Sequence, residues 1–142
     1  MLLKDPNFKA EKIICACNII YKDKILLLLR NGDKPQGNTY GVPAGKVKRS
    51  ENPKEAAVRE IKEETGIEVK DIELEYKKTF QVSYEDYNFE FYLYHLYLIK
   101  KPKVYIDKKE HKGYRWERPE DAIKLGLIED EDNVLREIFN LS

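Results

Sequence analysis

The chain has 142 residues, the length of one domain with its own core. Its 26 basic residues balance 26 acidic ones, so no global field draws in nucleic acid and no acidic tail is present. No apolar run reaches the length of a bilayer crossing, and the opening MLLKDPNFKAEK is too polar for a signal peptide, so a cytoplasmic protein without a membrane partner is expected.

In chain order, Ile13 to Tyr21 reads as a strand and Lys22-Asp23 as a tight turn. The 2 cysteines, Cys15 and Cys17, fall in that strand and point to one face, as core packing in a reducing compartment. Lys24 to Arg30, KILLLLR, is a continuous apolar run of the kind buried on both faces of a sheet. Asn31 to Thr39 is rich in turn formers, and Tyr40 to Val42 is a brief strand. A helix follows from about Asn52 to Gly66, then one or two strands within Ile67 to Phe80 and a polar turn from Tyr84 to Asn88. Phe89 to Ile99, FEFYLYHLYLI, is strongly β-prone. Lys100 to Gly113 is a charged loop, Tyr114 to Glu117 a short strand, Pro119 a helix start, and Glu129 to Leu141 the last helix. Strands interleave with helices, which fits a single α/β or α+β domain over residues 1–142.

The chemistry concentrates between Gly45 and Ile67, GKVKRSENPKEAAVREIKEETGI. Asn52 can cap a helix, Pro53 suits its first position, Glu55 completes a capping box, and Gly66 can end it in a left-handed conformation. Within that helix Glu60, Glu63 and Glu64 crowd about one turn. Like charges at such spacing repel by roughly 0.2–0.5 kcal/mol per pair. Neighbouring Lys54 and Lys62 do not neutralise the face, so this is not simply a solvated helix laced with ion pairs. An oxygen-only cluster suits a hard cation such as Mg²⁺ or Mn²⁺, with phosphate completing its ligands. Ala57 and Ile61 lie on another face and can dock the helix on a sheet. Glu51 and Arg59 can form a two-pronged clamp between loop and helix.

This segment resembles the Nudix box. Gly45, Glu51, Arg59, Glu60, Ile61, Glu63, Glu64, Gly66 and Ile67 stand at its defined positions. The resemblance implies an α/β/α sandwich with a mixed β-sheet, and Mg²⁺- or Mn²⁺-dependent hydrolysis of a nucleoside diphosphate linked to another moiety. It implies that Glu60, Glu63 and Glu64 hold metal together with the backbone carbonyl of Ala44. It makes Gly45, Glu51, Arg59 and Gly66 structural. Glu60 is one option for activating water, but in this family the base varies and often lies on a later loop. Glu110, in KKEHKGYRW, is the leading outer acid, with Glu85 and Glu90 as rivals. His111 is expected to face solvent and His95 to be packed.

A purine needs an aromatic face, for which Tyr40, Phe80, Tyr84 and Trp116 are the leading residues and Phe89 a further one. Lys34, Lys46 and Arg30 could meet phosphates. The signature of the coenzyme A group is absent. Where the ADP-ribose group carries a proline, this chain has Val82 and Ser83, and Tyr84 is a weak match to the diadenosine polyphosphate group. The short chain leans towards nucleoside triphosphates or diadenosine polyphosphates. Nucleoside triphosphate house-cleaning is the first expectation, with dinucleoside polyphosphates, ADP-ribose or nucleotide sugars as alternatives. A non-catalytic nucleotide sensor is a further reading, disfavoured because all the box acids are present. The expected partner is a small nucleotide rather than nucleic acid. Family members are often dimers, so a homodimer stays open.

Overall fold

The computed structural model describes residues 1–142. Its centre is the parallel pair β2 (Lys12–Tyr21) and β7 (Asn88–Leu98), in register from Lys12↔Phe89 to Tyr21↔Leu98. β6 (Glu75–Ser83) runs antiparallel to β7, and the short β1 (Leu2–Leu3) closes that edge. On the other side, β2 and β3 (Lys24–Arg30) form a hairpin that pairs only at Ile20↔Ile25 and Tyr21↔Lys24.

Beyond those pairs the two strands splay. β4 (Tyr40–Gly41) pairs with β3 and β5 (Ala44–Lys46) with β2, so residues 40–46 fill the wedge. The Cys17 N–H donates to Pro43 O at 3.0 Å, stitching the wedge shut. β8 (His111–Glu117) covers the outer edge of β3.

Side-chain alternation sorts the core into two faces. Cys15, Cys17, Ile19, Leu26 and Leu28 pack with Ala56, Ala57 and Ile61 of α1 (Pro53–Thr65). On the opposite face Ile20, Ile25 and Leu27 pack with Ala122 of α2 (Pro119–Ala122) and Leu135 of α3 (Glu131–Ile138). Ala16, Phe80, Phe91 and Leu93 meet Val134 of α3 on that same side. Leu26, Leu27 and Leu28 are fully buried, which explains the unbroken apolar run of β3. The architecture is the expected α/β/α sandwich on a mixed sheet. No helix is long and apolar enough to cross a membrane.

α1 is bounded as its sequence dictates. The Asn52 side chain accepts from the Glu55 N–H at 2.9 Å, and the Glu55 carboxylate accepts from the Asn52 N–H at 3.0 Å. Gly66 ends the helix at φ 76°.

Several boundaries differ from the sequence expectation. The Ile67 to Phe80 segment holds one strand, β6, which runs on to Ser83 and is preceded by a 3-10 turn at Asp71–Glu73. β8 starts at His111 instead of Tyr114, because β3 offers a free edge that continues, through an irregularity, to Arg30. α3 is shorter than expected because Asp130 adopts φ 69°, which a continuous helix cannot include. β1 and β5 are too short to carry a pattern of their own.

Candidate active site

The acidic helix face abuts the wedge between β2 and β3. Gly45 makes this approach possible, since a Cβ there would overlap the Glu60 carboxyl, 2.6 Å from its farther oxygen. One turn on, Glu64 Oε1 accepts from the Ala44 N–H at 2.9 Å. Both carboxylates are therefore drawn against the backbone of β5.

Arg59 organises the surroundings. Its Nε and Nη2 donate to the two oxygens of Glu51 at 2.7 and 2.9 Å. Nη2 also donates to Lys46 O at 3.0 Å, and Nη1 reaches Glu60 at 2.7 Å and Glu63 at 3.2 Å. Glu51 in turn accepts from the Lys48 N–H at 2.9 Å. One guanidinium thus joins the loop, the strand and the acidic helix. The Arg59 hydrogen bonds, aided by the Lys48 N–H, hold the Glu51 carboxyl well below its usual range, to about 2. The same pairing raises the already high proton affinity of Arg59.

The other acids are shifted the opposite way. Burial raises Glu60, although the Arg59 hydrogen bond opposes it. Burial pushes Glu64 up to about 8 against the Ala44 hydrogen bond, and the charges of Glu60 and Glu110 add to the rise. Glu63 is half exposed.

No group of three or more acidic, histidine or cysteine side chains is gathered tightly enough to surround one ion. The donor chemistry nevertheless fits a hard divalent cation. Glu60 and Glu64 offer oxygen only, the Glu60 charge raises the proton affinity of Glu64 and that of Glu63 raises Glu60, and both are largely withdrawn from water. A cation would relieve that repulsion.

Glu64, Ala44 and Gly45 border a cleft of about 260 Å³. Arg30, His111 and Gln36 border it too, as do Val82, Tyr84, Tyr87, Phe89 and Phe91 from the β6–β7 hairpin. Ile128 to Glu131 and Val134 form the remaining wall. One end abuts the acidic helix, and the other is aromatic, with Glu129 to Glu131 beside the rings.

Several candidate residues can now be placed. Tyr84 lies in the cleft. Tyr40, Phe80 and Trp116, the other residues expected to stack on a base, do not border it. Phe80 is buried and stacked on Phe91 at 4.9 Å, because its position in β6 turns it into the core. Trp116 packs on the α1 side and edge-on to Tyr21. Tyr40 packs towards the α2 side, with the Arg115 guanidinium 5.7 Å from its ring centre.

Glu110 is 43% exposed and pairs with Lys34 at 3.5 Å, close enough to Glu64 to influence its proton. Glu85 is exposed, and neither Glu85 nor Glu90 borders the cleft. His111 does not face solvent as expected. The early start of β8 buries it, leaves Nδ1 without a partner, and lowers its proton affinity. His95 is packed, bonded to Asn18 and Tyr97 and stacked on Phe139. The sequence reading passed over Tyr87, Gln36 and Glu131. Only the fold brings them to the cleft, and no local motif marks them.

The NUDIX domain profile matches residues 12–139, which include every element from β2 to α3. This chain belongs to the NUDIX domain family. An ADP-ribose pyrophosphatase of Methanocaldococcus jannaschii is 45% identical to this Nudix chain over 65 residues, 46% of the chain and 38% of that relative. The match thus spans about two fifths of the relative's length. A solved MutT protein of Methanosarcina mazei Go1 superposes with TM-score 0.80 at 21% identity, covering 93% of this chain and 95% of that one. A C. elegans Ap4A hydrolase in a binary complex superposes with TM-score 0.74 at 23% identity, covering 91% and 96%. Both solved structures share the fold.

Proposed function

We propose that this Nudix hydrolase cleaves the diphosphate bridge of a nucleoside diphosphate joined to a second group, using Mg²⁺ or Mn²⁺. One observation carries the reading. Glu60 and Glu64 are packed against β5, and Glu64 borders one end of a cleft whose other end is aromatic. A nucleotide has the same polarity, phosphate at one end and base at the other.

Glu60, Glu63, Glu64 and the Ala44 carbonyl would hold the metal. When bound, the ion supplies positive charge that offsets the phosphate oxygens and favours attack by water. Arg30, whose Nε is held by Pro35 O at 2.9 Å, borders the cleft and would orient a phosphate. Glu110, with Lys34 beside it, is the residue to accept the proton of the attacking water. Glu51 and Arg59 act by positioning, since the Arg59 guanidinium is spent on Glu51, the Lys46 carbonyl and Glu60 and so fixes the loop and the acidic helix. Tyr84, Tyr87 and Phe89 would flank the base.

Nucleoside triphosphates are the first substrate class, as in the sequence reading. ADP-ribose is a second, favoured by the 45% identical stretch shared with an ADP-ribose pyrophosphatase. The test is a panel of nucleoside triphosphates, diadenosine polyphosphates and ADP-ribose with Mg²⁺, with products identified by mass. Turnover of at least one member is expected. Binding without turnover on every member would instead point to a sensor.

A further inference from the structure

One brace of the cleft has no part in the chemistry described so far. It centres on Gln36, in the loop between β3 and β4, whose backbone adopts φ 53°. Glycine and asparagine take up that conformation readily, but a long unbranched side chain does not, so the surroundings must hold Gln36 there. The next residue shows how. A Cβ on Gly37 would lie 2.6 Å from Gly32 O and 2.7 Å from Asn31 O, so the loop doubles back on its own start. The Arg30 Nε–H donates to Pro35 O at 2.9 Å and the Thr39 hydroxyl to Gln36 O at 2.6 Å, which pins the turn from both sides.

The pinned turn aims the Gln36 side chain at the far wall of the cleft. Its Oε1 accepts from the Glu129 N–H at 2.7 Å. The Glu129 carbonyl in turn accepts from the Tyr84 hydroxyl at 3.0 Å. The Gln36 side chain also reaches that hydroxyl, where it opposes the rise that burial gives the phenol. One backbone residue is thus gripped at both its polar groups by side chains of two other walls, the β3–β4 loop and the β6–β7 hairpin. Glu129 stands where the chain turns into α3, just before Asp130 with φ 69°. Gln36, Tyr84 and Glu129 all border the cleft.

We infer that Gln36 is a positioning residue that latches the three walls of the aromatic end together and, through Pro35, ties that end to Arg30 at the other. The inference rests on the proposed nucleotide reading of the cleft and adds to it the residue that keeps the nucleoside end closed. Gln36 is engaged with Glu129 and Tyr84 rather than with the box acids. Its loss should therefore be felt in ground-state binding of the nucleoside and not in cleavage of the diphosphate.

The test compares wild type with Gln36→Gly, which relaxes the left-handed backbone, and Gln36→Met, which keeps the side chain's length but not its acceptor. It reads steady-state hydrolysis of the best panel substrate, and calorimetric titration of the full chain with AMP and with inorganic pyrophosphate in Mg²⁺. Both variants are expected to raise KM and to weaken AMP binding by at least about fivefold, with kcat within about twofold of wild type and pyrophosphate binding unchanged. A residue that only stabilised the fold would lower the melting temperature without that split. Should one variant fail to fold, the other decides. Unchanged KM and AMP affinity in a folded variant, an equal loss for AMP and pyrophosphate, or a fall in kcat alone would overturn the inference. A wild type that binds pyrophosphate but not AMP would also overturn it, and would leave the proposed hydrolysis standing. A wild type that binds neither and hydrolyses no panel member would remove the proposed function with it.

Discussion

The two ends of the cleft each bury a carboxyl whose proton affinity is pushed up to about 8, but they are built differently. At the polar end, Glu64 is one of several acids within a turn of α1. It is hydrogen-bonded to Ala44 and surrounded by a scaffold that Arg59 ties together. At the aromatic end, Glu131 stands without a bonded partner among apolar side chains. Crowded acids with a rigid support are suited to a cation that removes their repulsion. The Glu131 shift comes chiefly from burial, with a smaller push from Asp132, and no scaffold like that of Arg59 stands around it. The same shift in proton affinity therefore points to a cation only where its neighbours are crowded and supported.

The comparison breaks first if the polar end does not need its acids. Glu64→Gln keeps the side chain's size and its bond to the Ala44 N–H but removes the charge. Steady-state hydrolysis of the best panel substrate should fall by at least about 100-fold, with the melting temperature kept. Retained turnover would show that Glu64 is not a ligand.

A second effect, about tenfold per pH unit, separates the two ends by their response to metal. Glu64 and Glu131 are both raised from an ordinary value of 4.5 to about 8. Each therefore contributes stability that is complete below about 4.5 and is lost as pH rises through 8. The metal-free protein should melt at progressively lower temperature across that window. Metal must displace the Glu64 proton, so Mg²⁺ affinity should weaken by up to about tenfold per pH unit below 8, with proton release on uptake. Saturating Mg²⁺ should restore the Glu64 share of stability and leave the Glu131 share untouched. Melting curves against pH, with and without metal, check this. A Mg²⁺ affinity flat between pH 6 and 8 would contradict it.

Two smaller substitutions sharpen the picture of the scaffold. Gly45→Ala places a methyl group inside the Glu60 carboxyl, so either β5 or the helix must shift. The expected loss is about 1–3 kcal/mol in denaturant unfolding, accompanied by weakened metal binding. Asn52→Ala removes the capping box at the far end of the same helix. It should cost about 1 kcal/mol and leave the hydrolysis rate unchanged.

The polar end was legible in the sequence because its parts are local. Asn52, Pro53, Glu55 and Gly66 bound a helix by short-range rules, and Glu60 and Glu64 share a face by helical spacing alone. β3 was legible for a similar reason, since an unbroken apolar run has few ways to be buried. The aromatic end was not legible because it joins β2, the β6–β7 hairpin and the start of α3, segments far apart in the chain. Phe80 and Phe89 look alike in sequence. Yet Phe80 stacks on Phe91 in the core while Phe89 borders the cleft, although register puts both on the same sheet face, so the difference is one of place along the sheet. Glu131 reads as an ordinary first-turn acid until the fold surrounds it with Val134 and the hairpin. His111 reads as loop until β8 is seen to begin there.

The central claim is that the box acids bind a divalent cation, and calorimetric titration of Mn²⁺ into wild type and Glu64→Gln at pH 8, with and without ADP-ribose, tests it most directly. The account predicts saturable uptake by wild type and binding weakened by at least about tenfold in the variant. No uptake by wild type under either condition, or equal affinity in the two proteins, would contradict it.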